Sequence, residues 1–373
     1  MKNVVYIFGA GASKDFGLPL GNEIFQAAYG LSKSTNQEVS ALGVNKLLKD
    51  TEAILKRLFS NLPKNKNQLP PFEEILTFMW DLNKEEEYYY NNDKYKPLFK
   101  SKAKEIFDLL VNFFGATLIG CLHADSDNPN IRLFKKFIKS LDFQDNISFI
   151  SFNYDTLLDD ILFECVAENI IPKYTYKIPL YNIEEVCDYG NANARPRMPY
   201  DGVQLLKPHG SLNLNYCTHR QAPYGEGYFY NRNYLKTWTD QLKCPCCGSD
   251  LKRLMVPPLY SKHDFIQSTA YKKPGAWRSS PENFRKYIDN DISDCLAAAD
   301  EIVVIGYSMP AYDFDFKSLL LRSLVKNKKR KNVHLQLITK GDNIVPHQFE
   351  NLVGRVSITS NEGFLHFLKT NFQ

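Results

Sequence analysis

The chain opens on Val4-Val5-Tyr6-Ile7-Phe8, a β-branched and aromatic run that breaks at once into Gly9-Ala10-Gly11-Ala12-Ser13 and then Gly17-Leu18-Pro19. A strand that ends in closely spaced glycines and hands over to a helix is the arrangement by which parallel α/β sheets bring a nucleotide to a helix start. Glycines at 9 and 11 suit such a turn because they take positive φ, and because the missing Cβ lets backbone N–H groups approach a pyrophosphate. The loop reads G-A-G-A-S rather than G-x-G-x-x-G, and no clear acidic ribose ligand follows about twenty positions on, so the ordinary dehydrogenase fingerprint fits poorly. Lys2 before an apolar run has the outline of a secretory leader, but the run is too short and too rich in Val, Ile and aromatics to serve as one.

Similar runs recur at Ile147–Phe152, Gln204–Leu206, Ile302–Ile305, Val333–Ile338 and Val356–Thr359, and read as strands of one parallel sheet buried on both faces. Between the first two lie segments with apolar residues at helical spacing: 44–59, 71–82, 103–122 and 132–141. The expected fold is therefore α/β, a Rossmann-like parallel sheet with a helical insertion and a small cysteine-containing module. The core is expected over 1–36, 145–212 and 257–373, the insertion over 37–144, and the module, able to bind zinc, over 213–256. Glu85 to Asn92 reads as an exposed connection within the insertion. With 373 residues, 44% of them hydrophobic, the chain is long enough for one such domain with insertions.

A net charge of +4 gives no strong case for a nucleic-acid partner, and the basic block Lys326–Lys331 reads as a solvated turn. No run reaches the eighteen or more apolar residues of a membrane helix, so no membrane association is expected. Cys121, Cys165, Cys187 and Cys295 are scattered singly, which does not suggest a disulfide framework and points to a reducing cytoplasm.

Polar residues gather at the carboxyl ends of the runs, where α/β folds hold ligands. Ser151, Asn153 and Asp155 alternate after the second run. Asn153 offers an amide that can position a water or a ribose, and Asp155 an acceptor for hydroxyls or a carboxamide, or alternatively a cap for the helix after it. His209, in Lys207-Pro208-His209-Gly210-Ser211-Leu212-Asn213, is expected to present an exposed ring on a freely turning backbone, which suits a general base near neutral pH. Gly306-Tyr307-Ser308 forms another turn able to bring amides and a hydroxyl to a dinucleotide, and Asp313 and Asp315 follow as helix caps or ribose contacts. Cys244-Pro245-Cys246-Cys247-Gly248 contains a C-x-x-C-G knuckle, half of a structural zinc site, with Cys217 plus His219 or Cys246 available for the rest.

GAGAS with GLP, SFNYD, HGS, a cysteine knuckle and IGYS, in this order and around a helical insertion, resemble the sirtuin family, and more closely the bacterial sirtuin-like domains of phage-defence systems. The resemblance implies NAD as substrate, with Gly9, Ala10, Gly11 and Ser13 at the phosphates and adjoining ribose. It places Asn153 and Asp155 at the nicotinamide ribose and carboxamide, His209 as base, and Gly306 and Ser308 at the adenosine half; Ser151 is a further expected cofactor contact, and Cys217, Cys244 and Cys247 are the expected ligands of a structural zinc. Two departures bear on the reaction. Leu18-Pro19 is followed by Leu20-Gly21-Asn22 where the protein deacylases have Asp-Phe-Arg, and Met255-Val256-Pro257-Pro258-Leu259-Tyr260 stands where they have a peptide-pairing Phe-Gly-Glu segment. Two prolines remove two donors from any such ladder. The expected activity is hydrolysis of NAD to nicotinamide and ADP-ribose, as an abortive-infection effector. The alternatives are a non-catalytic NAD or ADP-ribose sensor and an NAD-dependent protein deacylase. The resemblance also implies a homo-oligomer, or a separate phage-sensing partner such as a helicase-like ATPase.

Overall fold

The computed structural model describes residues 1–58, 69–89, 103–124, 128–171, 173–178, 180–183, 202–218, 227–231, 238, 242–245, 247–256, 281–310, 313–327, 333–341, 344–353 and 356–373. Two compact units divide the chain, one of 1–16, 127–256 and 263–373, the other of 17–126 and 257–262. In chain order, β1 (Asn3–Phe8) and the short α1 (Ala10–Lys14) lead into α2 (Ile24–Leu31), α3 (Gln37–Ala41), α4 (Val44–Leu58), α5 (Phe72–Tyr89) and α6 (Ala103–Ala124). Then come α7 (Asn130–Ser140), β2 (Asn146–Ser151), α8 (Leu157–Ala167), β3 (Tyr174–Thr175), β4 (Tyr181–Asn182), β5 (Val203–Leu206), β6 (Gly210–Tyr216), β7 (Tyr228–Tyr230) and β8 (Lys252–Met255). The chain closes with α9 (Pro281–Ala298), β9 (Glu301–Ile305), α10 (Phe314–Lys326), β10 (His334–Ile338), α11 (Ile344–Val353), β11 (Val356–Ser360) and α12 (Phe364–Phe372).

The first unit is built on a seven-stranded sheet in the order β11-β10-β9-β1-β2-β5-β3, with every pairing parallel. The six longer strands run in the doubly wound order, reversing direction of progress between β1 and β9. All six sequence-expected strands are present. The central position of β1 explains its composition: Val4, Val5, Ile7 and Phe8 are buried, and β-branched side chains fill a sheet covered on both faces. The rings of Phe134 and Phe137 on α7 pack on those of Phe8 and Tyr6 at 5.7 and 5.9 Å between centroids. At the opposite edge β11 departs from the buried pattern, with Ile358 half exposed.

A second, four-stranded sheet in the order β4-β7-β6-β8 was not foreseen. Every residue of β6 is buried, and Tyr181, Cys217, Phe229, Cys244 and Leu251 form a local core there.

The second unit is helical. Phe25, Phe72, Phe113 and Phe114 stack at its centre, and α6 packs against α2, α3, α4 and α5. That many-sided burial accounts for a helix apolar all round: Glu105–Ala124 is long and apolar enough by length and composition to cross a membrane, which overturns the expectation that no stretch is, and most of it lies buried inside the molecule. The Glu85 segment also departs from expectation, since α5 continues as helix through Tyr89; glutamate is a good helix former, and three in succession do not break one. Asn91 and Asn92 lie outside the described residues.

Candidate active site

The reversal point between β1 and β9 brings two glycine turns into contact. Gly9 N–H donates to the Ile305 carbonyl at 3.0 Å and Gly11 N–H to that of Gly306 at 2.9 Å. A Cβ on Gly9 would lie 2.5 Å from Tyr307 Cα, and one on Gly11 would lie 2.8 Å from Gly306 O. Gly9 is extended, with φ −120°, and Gly11 sits within α1, so neither takes the positive φ expected of it. Their amides are committed to the neighbouring turn rather than left for a pyrophosphate. The glycines are required because two backbones touch. Positive φ belongs to Gly306, at +61°, where a Cβ would meet Ala12 N at 2.1 Å.

Across this junction, Asn153 ties the motifs together. Its Nδ2 donates to the Gly9 carbonyl at 3.0 Å and to Ser13 Oγ at 2.9 Å. The Ser13 hydroxyl in turn favours the ionised form of the Asp155 carboxylate. With both amide hydrogens committed, Oδ1 of Asn153 is the atom able to accept from a ribose hydroxyl or a water. Asp155 also accepts from Leu157 N–H at 3.1 Å, the first residue of α8, so it serves the helix start as well as the site. Burial pushes the Asp155 carboxyl above its ordinary value; the Lys207 ammonium, the Leu157 amide and the Ser13 hydroxyl oppose that shift, and Asp159 adds to it. Ser151 is buried at the end of β2, Ala10 is exposed on the turn, and Ser308 is exposed after Gly306.

His209 does not present an exposed ring. It is 4% exposed, because Gly210, at φ +73°, turns the chain into β6 and tucks the imidazole among the rings of Phe152 and Tyr154. A Cβ at 210 would meet Leu254 O at 1.9 Å, which fixes glycine there. Nδ1 of His209 lies 3.3 Å from the Phe152 carbonyl and Nε2 lies 3.3 Å from Asp313 Oδ1. Carbonyl and carboxylate only accept, so a protonated ring nitrogen on either side has an acceptor to meet. Asp313 makes no side-chain cap on α10; its other oxygen accepts from Tyr307 OH at 2.9 Å. The Tyr307 ring stacks on Phe152 at 4.5 Å. The turn after β9 is thus wired through Asp313 to His209. Asp315 lies in the first turn of α10.

Sequence reasoning missed Lys207 and Asp159. Lys207 is 1% exposed and Asp159 is 2% exposed, yet the two form an ion pair at 2.8 Å. The signal was a lysine closing the apolar strand VQLL and an aspartate on the buried face of α8.

Cys217, Cys244 and Cys247 converge away from this crevice, with all three Sγ atoms within 4.8 Å of one another. Cys217 and Cys247 are 3.5 Å apart, and Ser249 Oγ touches both. Thiolates around one zinc stand about 3.8 Å apart at the usual bond length, so this donor set fits the ion. Gly248, at φ +70°, makes the knuckle's turn. His219 and Cys246 lie outside the described residues.

No family model and no curated protein matches the sequence. Among solved structures the chain is similar to Sir2Tm bound to a propionylated peptide, at 11% identity and a TM-score of 0.37, over 98% of this chain and 90% of that one. It is also similar to a sirtuin solved for the structural basis of substrate affinity (12%, 0.38, over 98% and 91%). A third is Sir2 in complex with EX-527, 2′-O-acetyl-ADP-ribose and a deacetylated p53 peptide (13%, 0.33, over 98% and 91%).

Proposed function

We propose that the protein cleaves NAD at the nicotinamide–ribose bond and releases nicotinamide and ADP-ribose. The observation that carries this reading is Asn153 bonded at once to Gly9 and Ser13, with Asp155 two residues on accepting from Leu157 N–H, at the sheet's reversal point. A dinucleotide binds there in doubly wound sheets, and the two motifs involved, GAGAS and SFNYD, are among those that carry the sirtuin resemblance. Gly9, Ala10, Gly11 and Ser13 would border the phosphates and ribose, Gly306 and Ser308 the adenosine half, and Ser151 the floor.

In this mechanism the glycosidic bond leaves through an oxocarbenium-like state that the Asp155 carboxylate stabilises. Asn153 Oδ1 orients the attacking water. His209, as a neutral ring with one nitrogen unprotonated, accepts the proton from that water. The cleaved bond takes its electron pair to nicotinamide, and water supplies hydroxyl to the ribose. If zinc is bound at Cys217, Cys244 and Cys247, it holds the second sheet's core and takes no part in the reaction. The reading includes a defence role in which NAD loss stops an infected cell. Such a role requires restraint of the enzyme in the cytoplasm, by self-assembly or by a separate phage-sensing partner such as a helicase-like ATPase, with the helical insertion as the contact surface.

One observation favours a second reading, a sensor that binds NAD or ADP-ribose without cutting it: both nitrogens of His209 face acceptors. The test is to incubate the protein with NAD, alone and with an acetylated peptide, and to follow products by chromatography beside Asn153→Ala and His209→Ala. Peptide-independent ADP-ribose, reduced about 10²- to 10⁴-fold in the histidine variant, is the expected result. Binding without turnover selects the sensor, and O-acetyl-ADP-ribose formed only with peptide selects a deacylase.

A further inference from the structure

The turn from Phe152 to Thr156 carries two of the three proposed catalytic side chains, Asn153 and Asp155, and it is pinned from several directions. Phe152 N–H donates to Phe8 O, and the Tyr154 carbonyl accepts from Leu212 N–H at 2.9 Å and from Ser211 Oγ at 3.2 Å. The Asp155 carbonyl is held by a charge: Lys207 Nζ donates to it at 2.6 Å. The same ammonium donates to Asp159 Oδ2 at 2.8 Å, and Asp159 is fixed in turn by Tyr176 OH and by Asn213 Nδ2 at 3.3 Å. Asn213 also reaches Tyr176 OH at 3.2 Å. Beside this cluster is a cavity of about 20 Å³, room for a single water, onto which the buried and unpartnered Oδ1 of Asn213 can open.

An ion pair buried this deeply is a poor source of stability. Desolvating two charges offsets most of their attraction, and apolar residues of like volume commonly serve the fold as well or better. The ammonium reaches past its partner to a single backbone oxygen in the proposed site. From that juxtaposition we propose that Lys207 is the positioning residue of the NAD-cleaving centre, locking the Asn153–Asp155 turn through the Asp155 carbonyl. Asp159, Tyr176 and Asn213 hold Lys207 in place. The inference rests on the proposed NAD-cleaving reading.

A second consequence follows from charge. The Asp155 carboxylate is faced by Lys207, Ser13 and the Leu157 amide, which favour its ionised form, and by Asp159 and its own burial, which disfavour it. Asp160 also interacts with Asp155 across the helix start. Removing the ammonium therefore moves Asp155 protonation to higher pH, and a reaction needing the carboxylate loses its acid limb at higher pH.

The decisive variant is Lys207→Met with Asp159→Asn, which removes both charges of the ion pair. It is read by thermal unfolding, by the pH profile of kcat and KM for NAD, and by amide hydrogen exchange of Tyr154 to Leu157 in the free protein. The expected result is a folded protein whose kcat falls about a hundredfold while KM changes little, with the acid limb moved to higher pH and faster exchange in the turn. Lys207→Gln, which keeps a donor for the Asp155 carbonyl without the charge, is expected to preserve slow exchange and still move the acid limb; it decides the matter if the double variant does not fold. Movement of the limb or of the exchange rate supports the proposal. An unmoved limb together with unchanged exchange overturns it, whatever happens to turnover. If the wild-type protein binds NAD but does not cut it, the NAD-cleaving reading fails on its own, and exchange in the turn alone decides whether Lys207 pins it.

Discussion

Asp313 shows how one side chain can change what a neighbour is able to do. Histidine is chosen as a base because a neutral ring accepts a proton near pH 7, and here an acceptor faces each of its nitrogens. Asp313 grips Nε2 of His209 at 3.3 Å while Tyr307 grips Asp313, so the imidazole's orientation is tied to the turn after β9. Asp313→Asn keeps an acceptor for Tyr307 and removes the charge that opposes the ring. Its turnover is expected to fall about ten- to a hundredfold, a part of what a whole general base contributes, with NAD affinity retained by titration calorimetry. Wild-type turnover in this variant would remove Asp313 from the mechanism. None of this was legible in the sequence, where Asp313 read as a helix cap or a ribose contact. Its partner His209 is about a hundred residues away and is buried only because Gly210 folds the chain into a second sheet.

At the scale of elements, the strands legible in the sequence, the exposed edge strand β11 excepted, are those whose neighbours cover both faces, because continuous β-branched runs mark that burial. The strands of the second sheet gave no such signal. β4 has two residues and β7 three, and β6 mixes asparagine with leucine and tyrosine although all its positions are buried. The glycine turns were legible as turns but not for their reason. Close approach and backbone angle can be separated by experiment. Gly43 has φ +66° with open space about its Cβ position, whereas Gly306 has φ +61° with Ala12 N at 2.1 Å. Gly43→Ala is expected to cost about 1 kcal/mol, and Gly306→Ala several times more because backbone must move. Equal losses of melting temperature would show that angle alone matters. The cysteine knuckle belongs to this scale too. A chelator is expected to lower the melting temperature and release about one zinc per chain, and Cys217→Ser to abolish that release, since thiolate donors supply most of the affinity. A metal-free protein with an unaltered melt would reduce the three cysteines to core packing.

For the whole molecule, the distribution of partly desolvated carboxyls sets an unusual dependence of stability on pH. Asp155, Asp160, Asp289 and Asp291 are all pushed above the ordinary aspartate value, with burial as the leading cause in each, and Asp160 is pushed up to about 7. A group whose folded-state value is raised binds more protons folded than unfolded, so stability falls as pH rises through the interval between the two values. For Asp160 that interval runs from about 4, the unfolded value, to about 7: the added stability is present below it and lost above it. Asp160 is exposed at its rim, and solvent screening limits the effect to about 1 kcal/mol. The opposing case, Glu168 lowered by Lys135 and Lys139, lies on the open surface, where such pairs contribute little. The urea midpoint of the protein is therefore expected to be higher at pH 5 than at pH 8. Asp160→Asn, whose amide oxygen still accepts from Thr156 Oγ, should raise the midpoint at pH 8 and leave it nearly unchanged at pH 5. A wild-type midpoint that climbs from pH 5 to pH 8 would contradict this account. An Asp160→Asn variant that gains equally at both pH values would instead place its effect in packing rather than in the proton.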